Sequence, residues 1–347
     1  MTVQPTTEVS PHQHLLGLLG GKMVAAALCV LARIGVADEL AHGPLPVAEL
    51  ARRTGCHPPT LYRFLRATAS VGVFAETPGG DFALTPAAEL LRSDVPGTLR
   101  YLAYLYGETS VWNCFGSAID TLRTGEPSGP ALRGGKGWFE YMAGDPEYAE
   151  VFHLAMTGVS ERATAVAAAY DFDRFATVAD IGGGQGRLLA AILNRNPGQR
   201  GILFDTASAI GGAEPVLSGY GVADRVERVV GDFFASVPPG ADAYVLKAIL
   251  HDWNDRDALR ILRNIRTALA GRPDGRVLIV EAVVPGDNDW HYSKLMDLAM
   301  AVSLGGQERD AGQWRSLLAE AGFELCAVTE TAPPHCVIEA RPVDQER

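Results

Sequence analysis

The sequence predicts an α/β protein, a Rossmann-like doubly wound domain behind an N-terminal, mainly helical winged-helix domain. Three observations predict it. From Thr177 onward, strand-like apolar runs alternate with helical stretches. A glycine-rich turn, Gly182-Gly-Gly-Gln-Gly186, falls where the first of those strands would pass into a helix. Residues 44–95 read as helix, turn, helix, hairpin. A chain of 347 residues exceeds one ordinary core, so more than one domain is expected. The predicted divisions are 12–96 for the winged-helix domain, 97–170 for a helical connecting region and 171–342 for the doubly wound domain.

Taken in order, residues 1–11 are polar and expected to fray. Between His14 and Glu39 the apolar residues Leu15, Leu18, Leu19, Val24, Leu28 and Leu31 recur at helical spacing, which predicts one or two helices. Pro46 to Gly55 is a short helix closed by a glycine, and Pro58-Pro59-Thr60 opens a second through Leu61, Phe64 and Leu65. Gly72–Glu76 and Phe82–Thr85 flank a Thr-Pro-Gly-Gly-Asp turn, a hairpin signal. Residues 97–170 are largely helical, broken at Gly125–Pro130 and Gly134-Gly135. Strands follow at Thr177–Ile181, Gly201–Asp205, Val226–Val230, Ala243–Lys247 and Val277–Val283, with helices at Arg187–Asn196 and Arg256–Ala270 between them. Phe323–Thr329 and Cys336–Ala340 hairpin at one edge.

A winged helix alone favours DNA, but charge argues otherwise. Thirty basic against 41 acidic residues leave a net −11, a poor match to a nucleic acid or an anionic membrane. Between Ala37 and Val95 five arginines face seven acids, so a packing module is the better reading there. The five cysteines (Cys29, Cys56, Cys114, Cys326, Cys336) are scattered without a CxxC pair, which fits a reducing compartment and no metal knuckle. The early apolar run, Met23 to Ala32, is too short for a membrane span and has no signal-peptide flanks. Cytoplasm is the expected location, with no membrane partner.

The glycines at 182–186 let the backbone turn sharply and approach a ligand closely. Arg187 stands where a dinucleotide fingerprint needs its third glycine, and the Gly-Lys-Ser/Thr ending of a phosphate loop is absent. Asp205 closes the next strand, where a carboxylate accepts both hydroxyls of a ribose. Asp232 follows the third strand within Gly231-Asp-Phe-Phe234, placed to accept an adenine amine while Phe233 packs the ring. Singly, each acid reads better as a strand-end or capping residue. Together, at the carboxyl ends of successive strands, they fit a sulfonium nucleoside without phosphate better than a pyrophosphate cofactor.

The segment Ala243-Tyr-Val-Leu-Lys-Ala-Ile-Leu-His251-Asp-Trp253 brings His251 to the same edge. An imidazole has the right ordinary pKa to take a hydroxyl proton near neutrality. The other histidines show no metal-ligand spacing. Glu281, at the end of the next strand, and Glu308, in Gly305-Gly-Gln-Glu-Arg309, are candidates to orient the ring, or else plain solvated acids.

Asp180–Gly186, Gly231–Phe234, Leu246-Lys-Ala-Ile-Leu-His-Asp-Trp253 and Gly305–Arg309 carry a resemblance to the plant-type small-molecule O-methyltransferases, the caffeate and acetylserotonin family, and more so to its actinomycete antibiotic branch. The resemblance spans nearly the whole chain, as far as Gly322-Phe-Glu-Leu325. It implies an S-adenosylmethionine-dependent enzyme that methylates a phenolic hydroxyl of a small aromatic molecule, releasing S-adenosylhomocysteine. The implied cofactor residues are Ser160, Asp180, Gly182, Gly184, Asp205, Gly231, Asp232, Phe233 and Lys247. His251 would be the general base, framed by Glu281 and Glu308; Met156, Trp253, Met296, Met300 and Ser303 fall at substrate-pocket positions. The resemblance also implies a homodimer, residues 97–170 as a pocket wall, and no metal. Asp205-Thr206 departs from the family's Asp-Leu-Pro but keeps the acid. Two alternatives stand beside this reading: recruitment to hydroxylation, decarboxylation or C- or N-methylation, and a winged-helix ligand sensor that binds DNA.

Overall fold

The computed structural model describes residues 10–159 and 163–343. Ser160 and residues 1–9 lie outside the described residues. Residues 10 and 11 depart from the expected fraying. The Ser10 hydroxyl accepts the Gln13 amide at 3.2 Å while the Gln13 side chain takes the Ser10 amide, and Pro11 occupies the first turn. This capping box satisfies amides that a bare helix end leaves open.

The chain divides into two compact units, Met1–Trp112 with Met142–Val159, and Asn113–Tyr141 with Ser160–Arg347. Residues 97–170 are thus shared between the two rather than set apart. In the first unit a single helix runs from Pro11 to Arg33. Gly20-Gly21-Lys22 interrupts the apolar text but not the helix, so the ten-residue run read from sequence understates it. By length and composition this helix is long enough to cross a membrane, although only its last turns, at Ala27, Cys29, Leu31 and Ala32, are buried. Leu15, Leu18, Leu19 and Met23 are exposed.

Helices Val47–Thr54 and Pro58–Ala69 follow, and Gly55 ends the first with φ +69°. Then β2 (Phe74–Glu76) and β3 (Asp81–Leu84) form the hairpin, and β1 (Leu45–Pro46) pairs with the other side of β3. Leu31, Leu50, Leu61, Leu65, Phe74 and Phe82 meet in the core of this unit.

The second unit is built on seven strands in the order β6-β5-β4-β7-β8-β10-β9. Their ranges are β4 Thr177–Ile181, β5 Arg200–Asp205, β6 Val226–Val230, β7 Ala243–Lys247, β8 Arg276–Ala282, β9 Phe323–Glu330 and β10 His335–Pro342. The first five are parallel; β10 runs antiparallel to β8 and to β9. β4, β5, β7 and β8 are buried almost end to end, as strands covered on both faces must be. Helix Arg187–Arg195 packs its apolar face into the core on one side. Asp255–Ala268 and Ala311–Glu320 do so on the other. The chain leaves β4 toward β5 and β6, then returns to β7 on the opposite flank. The strand order therefore reverses between β4 and β7, where doubly wound sheets open a crevice at their carboxyl ends.

Candidate active site

The turn after β4 sits on one side of that crevice. Gly182, Gly184 and Gly186 have φ of +69°, +60° and +80°, a region that costs an L side chain roughly 1–2 kcal/mol. Space adds a second reason at Gly182: a Cβ there would lie 2.5 Å from Ile249 Cδ1 and 3.7 Å from the Phe233 ring. The turn is held by Asp205, whose carboxylate accepts the Gly184 amide at 2.8 Å and the Thr206 amide at 2.6 Å. Asp232 accepts the Phe234 amide at 2.8 Å and is exposed at the crevice end of β6. Gly231 lies too close to the Phe204 ring for any side chain.

Beneath the glycines Asp180 is buried, and its Oδ2 has no hydrogen-bond partner among the described residues. Burial pushes its carboxyl up to about 7, Lys247 opposes and Asp205 adds to the rise. Lys247, at the end of β7, is pulled down by burial, with Asp180 partly restoring it. The two strands thus end on a cation and an acid deep in the crevice.

The turn after β7 carries His251. Ala248 takes φ +52°, the one non-glycine residue with positive φ among those described. Such strain persists only where surroundings over-determine it, and here they do. Glu281, 1% exposed at the end of β8, accepts the amides of Ile249, Leu250 and His251 on one oxygen at 3.1, 2.6 and 3.2 Å. Arg309, fully buried, donates to the carbonyls of Leu250 and Trp253 at 3.0 Å each and pairs with Asp255 at 2.9 Å. The Gln307 amide donates to the His251 carbonyl at 2.9 Å, and Gly306 comes so close to that carbonyl that a Cβ would overlap it.

Glu308 meets the ring itself: its Oε1 lies 2.8 Å from His251 Nδ1. That contact sets Nδ1 as the protonated nitrogen and leaves Nε2, 3.6 Å from Asp252 Oδ1, as the second titrating position. Glu308 is in turn fixed by Asp297, which accepts its amide at 2.9 Å. Burial alone would lower the imidazole pKa, but Asp252, the Glu308 hydrogen bond and Glu281 outweigh it and push His251 up to about 10. The imidazolium therefore stabilises the fold fully below the ordinary histidine pKa, and that contribution is lost as pH rises through about 10.

Glu281 and Glu308, paired in the sequence reading, thus act on different things. Glu308 touches the ring; Glu281 holds the backbone and reaches the ring only by charge. Arg309, Asp252 and Asp297 had no role in that reading. Arg309 and Asp252 each left a signal, as members of the Gly-Gly-Gln-Glu-Arg and His-Asp-Trp motifs; Asp297 left none.

Trp253 packs in an aromatic cluster, its ring 4.7 Å from Phe234, 6.1 Å from Phe233 and 5.9 Å from Phe139. Met296, Met300 and Ser303 are spaced along one face of helix Tyr292–Ser303, the last two buried. Met156 lies on helix Pro146–Val159 of the first unit. Among the described residues no group of His, Cys, Asp or Glu is arranged to hold a metal ion.

Comparison with known proteins fits this geometry. A family profile described as the O-methyltransferase domain matches residues 122–324, and one described as the O-methyltransferase dimerisation domain matches 16–94. A phenazine O-methyltransferase of Lysobacter antibioticus is 43% identical over 95% of this chain and 96% of its own. An aclacinomycin 10-hydroxylase of Streptomyces purpurascens is 36% identical over 90% of this chain and 84% of its own. Among solved structures, an O-methyltransferase from neocarzinostatin biosynthesis, in complex with S-adenosylmethionine and 2-hydroxy-5-methyl naphthoic acid, superposes with a TM-score of 0.79. It is 33% identical and covers 92% of this chain and 96% of its own.

Proposed function

Since this chain belongs to the O-methyltransferase family, we propose that it transfers a methyl group from S-adenosylmethionine to a phenolic hydroxyl of a small aromatic natural product, with His251 as general base. The observation that carries the reading is the meeting of two loops at the strand-order reversal. Ile249, two residues before the base, packs against Gly182 of the glycine turn.

The crevice residues suit a nucleoside sulfonium. The positive-φ turn leaves its backbone bare, with open space beside Gly184; Asp205 and Asp232 offer carboxylate oxygens, and Phe233 offers a ring face. Asp180 and Lys247 supply the buried charges for its amino-acid end. When bound, that cofactor supplies an electrophilic methyl group. The chain's own residues do the rest. Glu308 holds Nδ1–H, which leaves Nε2, 3.6 Å from Asp252 Oδ1, as the nitrogen that takes the proton. Raised to about 10, the imidazole is mostly protonated at neutral pH, so it takes the phenol proton through its neutral form and the reaction gains as pH rises. Trp253 and its aromatic neighbours, together with the Met296–Met300 face, exclude water and favour a flat acceptor.

The exposed leucines of helix Pro11–Arg33 lie largely within the stretch matched by the dimerisation domain. A second copy covering them makes a homodimer, and we place that dimer in the cytoplasm. The test of mechanism is His251→Ala. Cofactor affinity, measured by calorimetry, should stay within about twofold while kcat falls roughly 10²–10⁴-fold. Unchanged turnover removes His251 from the chemistry. The hydroxylase among the relatives makes product mass with a deuterated methyl donor the matching check. An O-methyl product carries the label, and a hydroxylated one does not.

A further inference from the structure

Arg133 lies outside the machinery described so far. It follows the short helix Gly129–Leu132 and is only 4% exposed, yet among the described residues no carboxylate pairs with it. Its Nη2 donates to the Ser303 carbonyl at 2.5 Å; among the described residues Nε and Nη1 have no partner. Its guanidinium carbon stands 5.1 Å from the centroid of the Trp138 ring. The space it fills is reserved for it, because a Cβ on Gly129 would collide with the guanidinium.

A guanidinium keeps its charge across the working pH range, and a buried, unpaired one is costly unless an anion arrives. One carbonyl on Nη2 caps the end of helix Tyr292–Ser303 but leaves the three N–H groups of Nε and Nη1 unanswered among the described residues. That helix carries Met296 and Met300, and the chain from Ser303 runs directly through Gly306 to Glu308, which holds the His251 ring. Pro127, just before Gly129, packs 3.2 Å from where a Gly305 Cβ would lie. Arg133 is therefore tied to the segment that frames the acceptor side of the base.

We propose that Arg133 anchors the carboxylate of the acceptor, so that the substrate class is an aromatic hydroxy acid whose hydroxyl is presented to His251. This rests on the methyltransferase reading for the role of His251, but not for the anion site itself. The flat ring of Trp138 beneath the guanidinium suits an aryl carboxylate, whose plane extends the stack.

The test uses the full-length protein and two probes, 2-hydroxy-5-methyl naphthoic acid and its primary amide, with binding measured by calorimetry. Wild type should prefer the acid by about 10- to 100-fold, the worth of a charge-assisted hydrogen bond. Arg133→Gln should lose that preference while binding the amide as before, and Arg133→Lys should keep part of it. A wild type that takes the acid no better than the amide, including one that takes neither, overturns the proposal, as does an Arg133→Gln protein that still prefers the acid. Arg133→Met, melted without ligand, guards against a purely structural role. Its Tm should stay near the wild-type value, and a large fall with acid preference retained makes Arg133 a helix clamp only. A labelled methyl donor separates the two readings. Arg133-dependent acid binding without methyl transfer leaves the anchor standing and sinks the methyltransferase assignment, whereas transfer to neutral phenols with no acid preference does the reverse.

Discussion

The two loops that meet at the sheet reversal are built in opposite ways. The glycine turn is local: three positive-φ glycines within five residues and one carboxylate, Asp205, from the neighbouring strand. The histidine turn is assembled from afar. Glu281 reaches it from β8, Arg309 and Glu308 from the segment before helix Ala311–Glu320, and Asp297 from yet another helix. A cofactor common to many reactions needs only a shape the backbone can make by itself. A base aimed at one proton needs its position set within fractions of an ångström, which short-range structure cannot do.

Substitutions that touch one loop and spare the other sharpen this contrast. The largest effect is expected from Glu281→Ala, which strands three amides in a buried turn. Displacing a base by about 1 Å costs on the order of 100-fold, so kcat should fall by about that much with cofactor affinity unchanged. A matching loss of cofactor affinity would erase the distinction between the loops. Next comes Gly182→Ala. The φ penalty and the overlap with Ile249 should weaken cofactor binding about tenfold in a titration, with kcat at saturation nearly intact. Because Ile249 belongs to the histidine turn, a large kcat loss here would show the loops to be one unit.

The smallest effect on the plateau rate is expected from Glu308→Gln, and its signature is in pH. The base works when neutral, so kcat/KM should climb with pH toward the alkaline value to which the carboxylates push His251. Removing the Glu308 charge weakens the hold on the imidazolium. The limb should then move to lower pH, by roughly one to three pH units. A limb that does not move assigns the titration to another group.

The same contrast decides how much was legible beforehand. β4 and β7 begin and end at the residues expected, and β5 and β8 differ by one position, because buried parallel strands are uninterrupted apolar runs; β6, a largely exposed edge strand, also matches its expected bounds. The positive φ at Gly182, Gly184 and Gly186 follows from residue type. His251 could be placed at the crevice from its distance beyond β7. Its supports could not: that one glutamate grips the backbone and the other the ring depends on where β8 and helix Tyr292–Ser303 bring them. Arg309 stands in a quoted motif, but nothing in the sequence shows that the fold buries it. At the N-terminus the helical spacing was legible too, since two helices, Pro11–Arg33 and Val36–Glu39, cover the stretch read as one or two; only the Ser10 cap that starts the first was not.

One consequence follows from the grip of Glu281 on three consecutive amides. It fastens the turn after β7 to the next strand, so the reference frame of the imidazole is the sheet and not the loops around it. Repacking in the helices that face the acceptor can then proceed without moving the backbone of the base, provided the link from Asp297 through Glu308 to the ring is kept. A scaffold with that division can change customers while keeping its tool.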